Sequence, residues 1–210
     1  MMKLVFATGN RGKLREAREI LGDGVQVLSP VELGIDGEPE ENALTLKENS
    51  LIKAAYFHER SGLDCFADDT GLEVDALGGA PGVHAARYAQ DVACRDGLPL
   101  PPDHDFGANI DTLLRELAKH PDAPRTARFR SVVTLLLGGR ALYFEGTLEG
   151  RIAMQRSGSG GFGYDPVFIA DEYPDCSVAE LPEETKNAIS HRGKALRAMA
   201  LWLQENGYEK

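Results

Sequence analysis

The chain has 210 residues, 42% hydrophobic and 27% charged, with a formal net charge of −10 at pH 7. That length can bury a substantial core and fits one domain, residues 1–210, possessing two lobes. The acidic balance argues against a nucleic-acid partner and against docking on an anionic membrane, and no stretch approaches the roughly 18 apolar residues of a membrane helix. The apolar run Leu4 to Ala7 is too short for a signal peptide. Cys65, Cys94 and Cys176 are odd in number and lack C-x-x-C spacing, which suits a reducing cytoplasm better than a disulfide framework or a zinc site.

Lys3 to Ala7 reads as a buried strand. Thr8-Gly9-Asn10-Arg11-Gly12-Lys13 follows, and Leu14, Ala17 and Leu21 then mark the apolar side of an amphipathic helix. A strand, a Gly-containing turn and a helix N-terminus make an anion site, because free N–H groups and the helix dipole both favour negative charge. Lys13 adds a point charge there and Asn10 an amide. The G-x-x-x-x-G-K-[ST] phosphate loop is absent, and a plain strand-to-helix turn is the alternative. Val25 to Leu28 is the next strand, followed by a polar loop through Gly37 and the acidic run Glu38-Pro39-Glu40-Glu41. A helix is expected from about Asn42 to His58, with Leu44, Leu51 and Ala55 on its buried stripe. Glu48, Asn49 and Lys53 lie off that stripe, the last two one turn apart.

Leu63, Cys65, Phe66 and Ala67 read as a buried strand that ends on Asp68 and Asp69. Adjacent residues of an extended chain point to opposite faces, so one carboxylate can face a ligand while the other braces the structure behind it. Such a pair suits Mg²⁺, which prefers carboxylate oxygen, or a general base; capping a turn is the plainer use. Thr70 and Gly71 are expected to turn the chain, and Gly78-Gly79-Ala80-Pro81-Gly82 closes the segment. After His84 to Tyr88 comes a loop rich in Pro and Asp, about Asp91 to Asp105. Ile110, Leu113, Leu114 and Leu117 then define a helix that Pro121 ends.

Ala127 to Leu137 and Ala141 to Leu148 form a hairpin about Gly138-Gly139, its strands continuing towards Ile152. Ser157 to Pro166 is a second Gly-rich loop. Its glycines let backbone approach a ligand, and Phe162 or Tyr164 could stack on a planar base; a flexible surface loop is the alternative. Val167 to Ile169 is a short strand, and Leu181 to Lys186 begins a helix. Ser190 N-caps the last helix, whose core face is Leu196, Met199, Ala200 and Leu203. His191, Arg192 and Lys194 in its first turn oppose the dipole unless an anion or polar ligand lies there.

The segments Thr8-Gly9-Asn10-x-Gly12-Lys13, Glu48-Asn49-x-x-x-Lys53-Ala54 and Ala67-Asp68-Asp69-Thr70-Gly71-Leu72 continue with Leu77 to Gly82, Gly160 to Pro166 and Ala188 to Gly193. In these, and in their order, the chain resembles the inosine/xanthosine triphosphate pyrophosphatases from end to end. The resemblance implies an α/β fold with a long central mixed sheet and flanking helices, two lobes around a nucleotide-binding cleft, and a homodimer. It implies Mg²⁺-dependent hydrolysis of ITP, dITP and XTP to monophosphate and pyrophosphate. Glu41 and Asp69 would hold the Mg²⁺, and Asp69 would also be the base for the attacking water. Thr8, Gly9, Asn10, Arg11, Gly12, Lys13, Lys53 and Thr70 would hold the triphosphate. Phe162, Gly163, Tyr164, Asp165, Lys186, His191 and Arg192 would enclose base and sugar.

Two departures stand out. The family's Glu-Glu-Thr-Gly-x-Thr-Phe segment reads Glu40-Glu41-Asn42-Ala43-Leu44-Thr45-Leu46, which leaves Glu40 and Glu41 both open as the metal ligand. The stretch from Cys94 to Asp105 is longer and richer in Pro than is typical. Two other functions are weighed. Maf-like pyrimidine triphosphate pyrophosphatases lack the element carried here at Ser190 to Arg192, and a non-catalytic nucleotide sensor has no use for Glu41 and Asp69.

Overall fold

Apolar runs rich in Val, Leu and Phe give this chain its strands, and amphipathic stretches give its helices. The structure is a computed structural model describing residues 2–208. Its elements are β1 (Met2–Phe6), α1 (Arg11–Leu21), β2 (Val25–Leu28), α2 (Leu46–Ser61), β3 (Cys65–Val74), β4 (Pro81–Gly82), α3 (Tyr88–Asp96), α4 (Phe106–Ala118), β5 (Thr126–Leu137), β6 (Arg140–Ile152), β7 (Phe168–Ala170), α5 (Glu183–Ile189) and α6 (His191–Glu205). The strands make one seven-stranded sheet of order β2-β1-β3-β5-β6-β7, with β4 paired to β3. β1 is parallel to β2 and β3, whereas β4 and β7 are antiparallel to β3 and β6, so the long mixed sheet of an α/β fold is present. Among the described residues no helix is long and apolar enough to cross a membrane.

The chain divides into two compact units. One takes the residues up to Thr70, Ser131–Thr147 and the residues from Ile189 onward; the other takes Gly71–Arg130 and Leu148–Ala188. In the first unit, alternation along β1 sorts two cores. Leu4 and Phe6 pack with Ala17 and Leu21 of α1 and Leu196, Met199 and Leu203 of α6. Val5 and Ala7 pack with Ala54 and Phe57 of α2. The Phe6 and Phe66 rings stack across neighbouring strands, centroids 4.4 Å apart. In the second unit α3 and α4 pack on each other, and Val92 and Ala93 on the one and Leu113 and Leu117 on the other are all buried. The buried Asn109 amide joins them, accepting from the Ala89 N–H at 2.8 Å and donating to the Ala86 carbonyl at 2.9 Å.

Several expectations shift. α2 begins at Leu46 rather than Asn42, because Thr45 is the N-cap and accepts from the Glu48 N–H at 3.1 Å. Its buried positions are Leu46, Asn49, Ser50, Ala54 and Phe57, and Leu44 is 84% exposed, so the stripe is not Leu44, Leu51 and Ala55. Asn49 belongs to the buried side because its Oδ1 accepts the Ala43 N–H at 3.0 Å and so ties down the segment before the helix. β3 runs unbroken through Asp68, Asp69, Thr70 and Gly71, which therefore lie within a strand and do not turn the chain. The Pro-rich loop is shorter than expected, since α3 takes it up to Asp96 before Gly97, at φ 66°, ends the helix. The hairpin about Gly138-Gly139 forms as the sequence suggests, and its second strand reaches Ile152.

Candidate active site

β1 and β3 pair in parallel, Val5 with Cys65 and Phe6 with Phe66. Beyond that register β1 leaves the sheet as Thr8–Lys13 while β3 carries on through its two acids. Phe66 belongs to the core of α1 and α6, and Cys65 and Ala67 to that of α2. The same period of two sends Asp68 towards α1 and Asp69 towards α2.

Asp68 is 2% exposed and receives the Lys13 ammonium on both oxygens, at 3.0 and 2.8 Å. Burial alone would raise this carboxyl. The positive charges of Lys13, Arg192 and Lys53 outweigh it and hold Asp68 well below the usual carboxylate range. Asp69 has the opposite balance. Burial raises it, Lys53 offsets part of that, and the negative charges of Glu41 and Asp68 leave it above its ordinary value. Its partner is the Lys53 ammonium at 3.3 Å, which also meets Glu41 Oε2 at 2.7 Å. Burial disfavours the charge on Lys53, yet Asp69, Asp68 and Glu41 together raise its affinity for the proton. Adjacent acids thus differ in kind: three cations hold Asp68 as the anion, whereas Asp69 keeps a proton more readily than an ordinary carboxylate. Of the acidic segment before α2, Glu41 is the residue that joins this group.

The turn before α1 is more closed than an open anion cradle. Asn10 is the N-cap, and its Oδ1 accepts the N–H groups of Gly12 at 2.8 Å and Lys13 at 3.1 Å. Thr8 Oγ1 accepts the Asn10 N–H at 3.1 Å. Two early helix amides therefore already have a partner, while Gly9 and Arg11 stay exposed. Thr70 donates its hydroxyl to Ser131 Oγ at 3.2 Å.

The start of α6 brings one residue that the sequence did not single out. Glu16, buried on α1, accepts from Arg192 Nε at 2.7 Å and from Ser190 Oγ at 3.1 Å, while Ser190 caps the helix by accepting the Gly193 N–H at 2.9 Å. Lys194 donates to the Thr147 carbonyl at 2.9 Å. The cationic first turn of α6 is thus balanced from within the protein. A clue to Glu16 was available, since it stands beside Ala17 on the buried side of an otherwise amphipathic helix. β6 reaches this turn at Gly146, where a Cβ would lie 2.0 Å from the His191 carbonyl oxygen and 2.6 Å from the Ala195 nitrogen. Only glycine lets two backbones approach so closely.

The other unit gathers the Gly-rich loop. Asp165 is buried and braces the loop from beneath: its Oδ2 accepts the Phe162 N–H at 2.8 Å and pairs with the Lys186 ammonium. Gly161 and Gly163 have φ of 77° and 61°, values that suit glycine. Tyr164 is 3% exposed and donates its hydroxyl to the Ala85 carbonyl at 2.8 Å, so it is an interior strut rather than a stacking surface. Burial also raises its phenol. Phe162, 63% exposed, is the ring of this loop that faces outward.

The model of the Ham1 family matches residues 4–202. A dITP/XTP pyrophosphatase of Porphyromonas gingivalis is 50% identical over 196 residues, covering 93% of this chain and 94% of that protein. One from Christiangramia forsetii is 43% identical over 204 residues, covering 97% and 100%. Among solved structures, a HAM1 protein from Coxiella burnetii superposes with a TM-score of 0.86 at 35% identity, covering 98% of this chain and all of that one. A nucleoside-triphosphatase / dITP/XTP pyrophosphatase from Mycobacterium abscessus superposes with a TM-score of 0.75 at 38% identity, covering 94% and 98%.

Proposed function

Because the chain belongs to the Ham1 family, we propose that it hydrolyses the non-standard purine nucleoside triphosphates dITP, ITP and XTP to the monophosphate and pyrophosphate. The observation that carries this reading is the convergence of Glu41 and Asp69 on one ammonium, that of Lys53, at 2.7 and 3.3 Å. Two carboxylates already share a single positive charge. That donor set, all oxygen and doubly negative, matches a hard divalent cation such as Mg²⁺. Among the described residues no group of three or more His, Cys, Asp or Glu forms a ready-made metal cage. Glu41 and Asp69 would hold the ion, and bound Mg²⁺ would supply charge neutralisation at the phosphates.

Asp69 takes the proton of the attacking water. Lys13 and Lys53 offer ammonium donors to the leaving pyrophosphate, with Thr70 and the Thr8–Gly12 turn orienting it. The exposed ring of Phe162 stacks on the base, and Gly163 with its neighbours Tyr164 and Asp165 shapes the loop that carries it. Lys186, His191 and Arg192 supply donors for base and sugar. Arg has only donors to offer, so it suits the 6-oxygen of hypoxanthine and xanthine and mismatches the amino group of adenine. The reading includes a homodimer working in the cytoplasm, with residues 1–210 as one catalytic domain.

The test is product analysis on dITP, ITP and XTP with Mg²⁺ present. Monophosphate and pyrophosphate in equal amounts are expected. Diphosphate and orthophosphate as main products would overturn the assignment.

A further inference from the structure

The Gly-rich loop is fastened to the first turns of α4 at both ends, by contacts the reaction scheme leaves unused. At one end the Phe106 and Phe162 rings meet edge to face, centroids 5.0 Å apart at 69°. At the other, Arg156 donates through Nη2 to the Gly107 carbonyl at 2.8 Å and to Asp111 Oδ1 at 2.5 Å. α4 is itself fixed at this end, because Asp105 caps it by accepting the Ala108 N–H at 2.9 Å. The Pro-rich segment after α3, whose purpose the sequence left open, thus ends by delivering Phe106 to the loop.

Phe162 needs such a partner. It stands between Gly161 and Gly163, and glycine gives the backbone more freedom than any other residue. Asp165 fixes the Phe162 N–H but does not fix the ring. An edge-to-face aromatic contact favours one ring pose by a factor of about 2–10 beyond what burial gives.

We propose that Phe106 is a positioning residue for the nucleobase: its ring holds that of Phe162, edge to face, in the pose on which a planar base stacks. This rests on the stacking role of Phe162 proposed above, and the experiment separates the two. Phe106 touches no reacting atom, so its loss weakens substrate and transition state alike and shows in KM rather than kcat.

The experiment measures kcat, KM and the thermal midpoint of the full chain on dITP with Mg²⁺, for the wild type, Phe162→Ala, Phe106→Ala, Phe106→Leu, Phe106→Tyr and the double variant Phe106→Ala/Phe162→Ala. Phe162→Ala should raise KM by about 5-fold or more, the size of one lost base–aromatic stack. Phe106→Ala should raise KM about 2–10-fold with kcat within about 2-fold. Phe106→Leu keeps apolar volume without an aromatic edge, so it should match Phe106→Ala even if that variant folds poorly, and Phe106→Tyr should restore KM. In the Phe162→Ala background, removing Phe106 should change nothing further. Full additivity of the two effects on KM, or a Phe106→Leu enzyme with wild-type KM beside an impaired Phe162→Ala, overturns the proposal while the stacking role stands. A wild-type KM in Phe162→Ala overturns both. A fall in kcat and thermal midpoint that persists in the double variant assigns Phe106 to the scaffold alone, and also overturns it.

Discussion

The turn at Thr8–Lys13 and the loop at Ser157–Asp165 both rely on small residues, yet they are held by different means. The first is locked by a helix. Asn10 takes two amides of α1, and Lys13 reaches to a carboxylate inside the sheet. The second has no regular structure at its centre. Side chains fold back to hold it: Asp165 on the Phe162 N–H, Ser157 on Glu180 at 2.8 Å, and Arg156 on α4. Around Asp68 and Asp69, charges in a poorly solvated setting define the geometry, and such interactions are strong because water does not screen them. In the loop, glycine torsions and single hydrogen bonds, each worth little alone, set the backbone around one ion pair, Asp165 with Lys186. A charge-built region should therefore fail abruptly, and a backbone-built one by degrees.

The largest effect is expected from Asp69→Asn. The amide keeps the volume but can neither take the proton nor neutralise a cation. kcat should fall by about 10²–10⁴-fold with the circular dichroism spectrum unchanged, and Glu41→Gln should mainly raise the Mg²⁺ concentration needed for half-maximal rate. Near-native turnover in Asp69→Asn would contradict the division between the two acids.

Arg192→Ala probes the border between charge and fit. It removes the donor expected at the 6-oxygen and frees Glu16. kcat/KM measured on ITP, ATP and GTP should show the ITP/ATP ratio falling by about 10-fold or more, since a site built around a hydrogen bond rejects the mismatched group strongly. The ITP/GTP ratio should change less, because guanine also carries a 6-oxygen. An unchanged ITP/ATP ratio removes Arg192 from base recognition.

Gly161→Ala should give the smallest and most graded response. Its φ of 77° disfavours a side chain, and the new Cβ would meet Asp165 Oδ2 at 2.3 Å. Strain of about 1–3 kcal/mol can be relieved by displacing the loop. KM should rise several-fold while kcat and the urea midpoint move little; a collapse of kcat like that of Asp69→Asn would erase the contrast between the regions.

Much of this arrangement was legible in the residues. The strand that Leu63 to Ala67 announce separates Asp68 from Asp69 by face, and the strand–turn–helix grammar at Lys3–Leu21 and the hairpin at Gly138-Gly139 are local signals. What misled was also local. Leu44 looked like the first residue of a buried stripe, whereas Thr45-x-x-Glu48, a capping pattern, marks the true start. Thr70-Gly71 looked like a turn, but pairing with neighbouring strands overrides weak local preferences. Glu16 and Phe106 were not legible as partners of Arg192 and Phe162, because each contact joins segments far apart in the chain, and one sequence carries no record of which distant residues meet.

The meeting of β6 with α6 at Gly146 has a consequence for how this protein can change over evolutionary time. Where a helix rests on a layer of side chains, every change of volume beneath it moves the helix. Here the first turn of α6 rests on bare backbone, which works as a machinist's datum: a reference surface with no thickness to vary. Deeper core positions such as Leu196, Met199 and Leu203 meet side chains and answer to their volume, whereas the aim of Ser190, His191 and Arg192 is referred to bare backbone at Gly146. A side chain at that one glycine would displace all three at once.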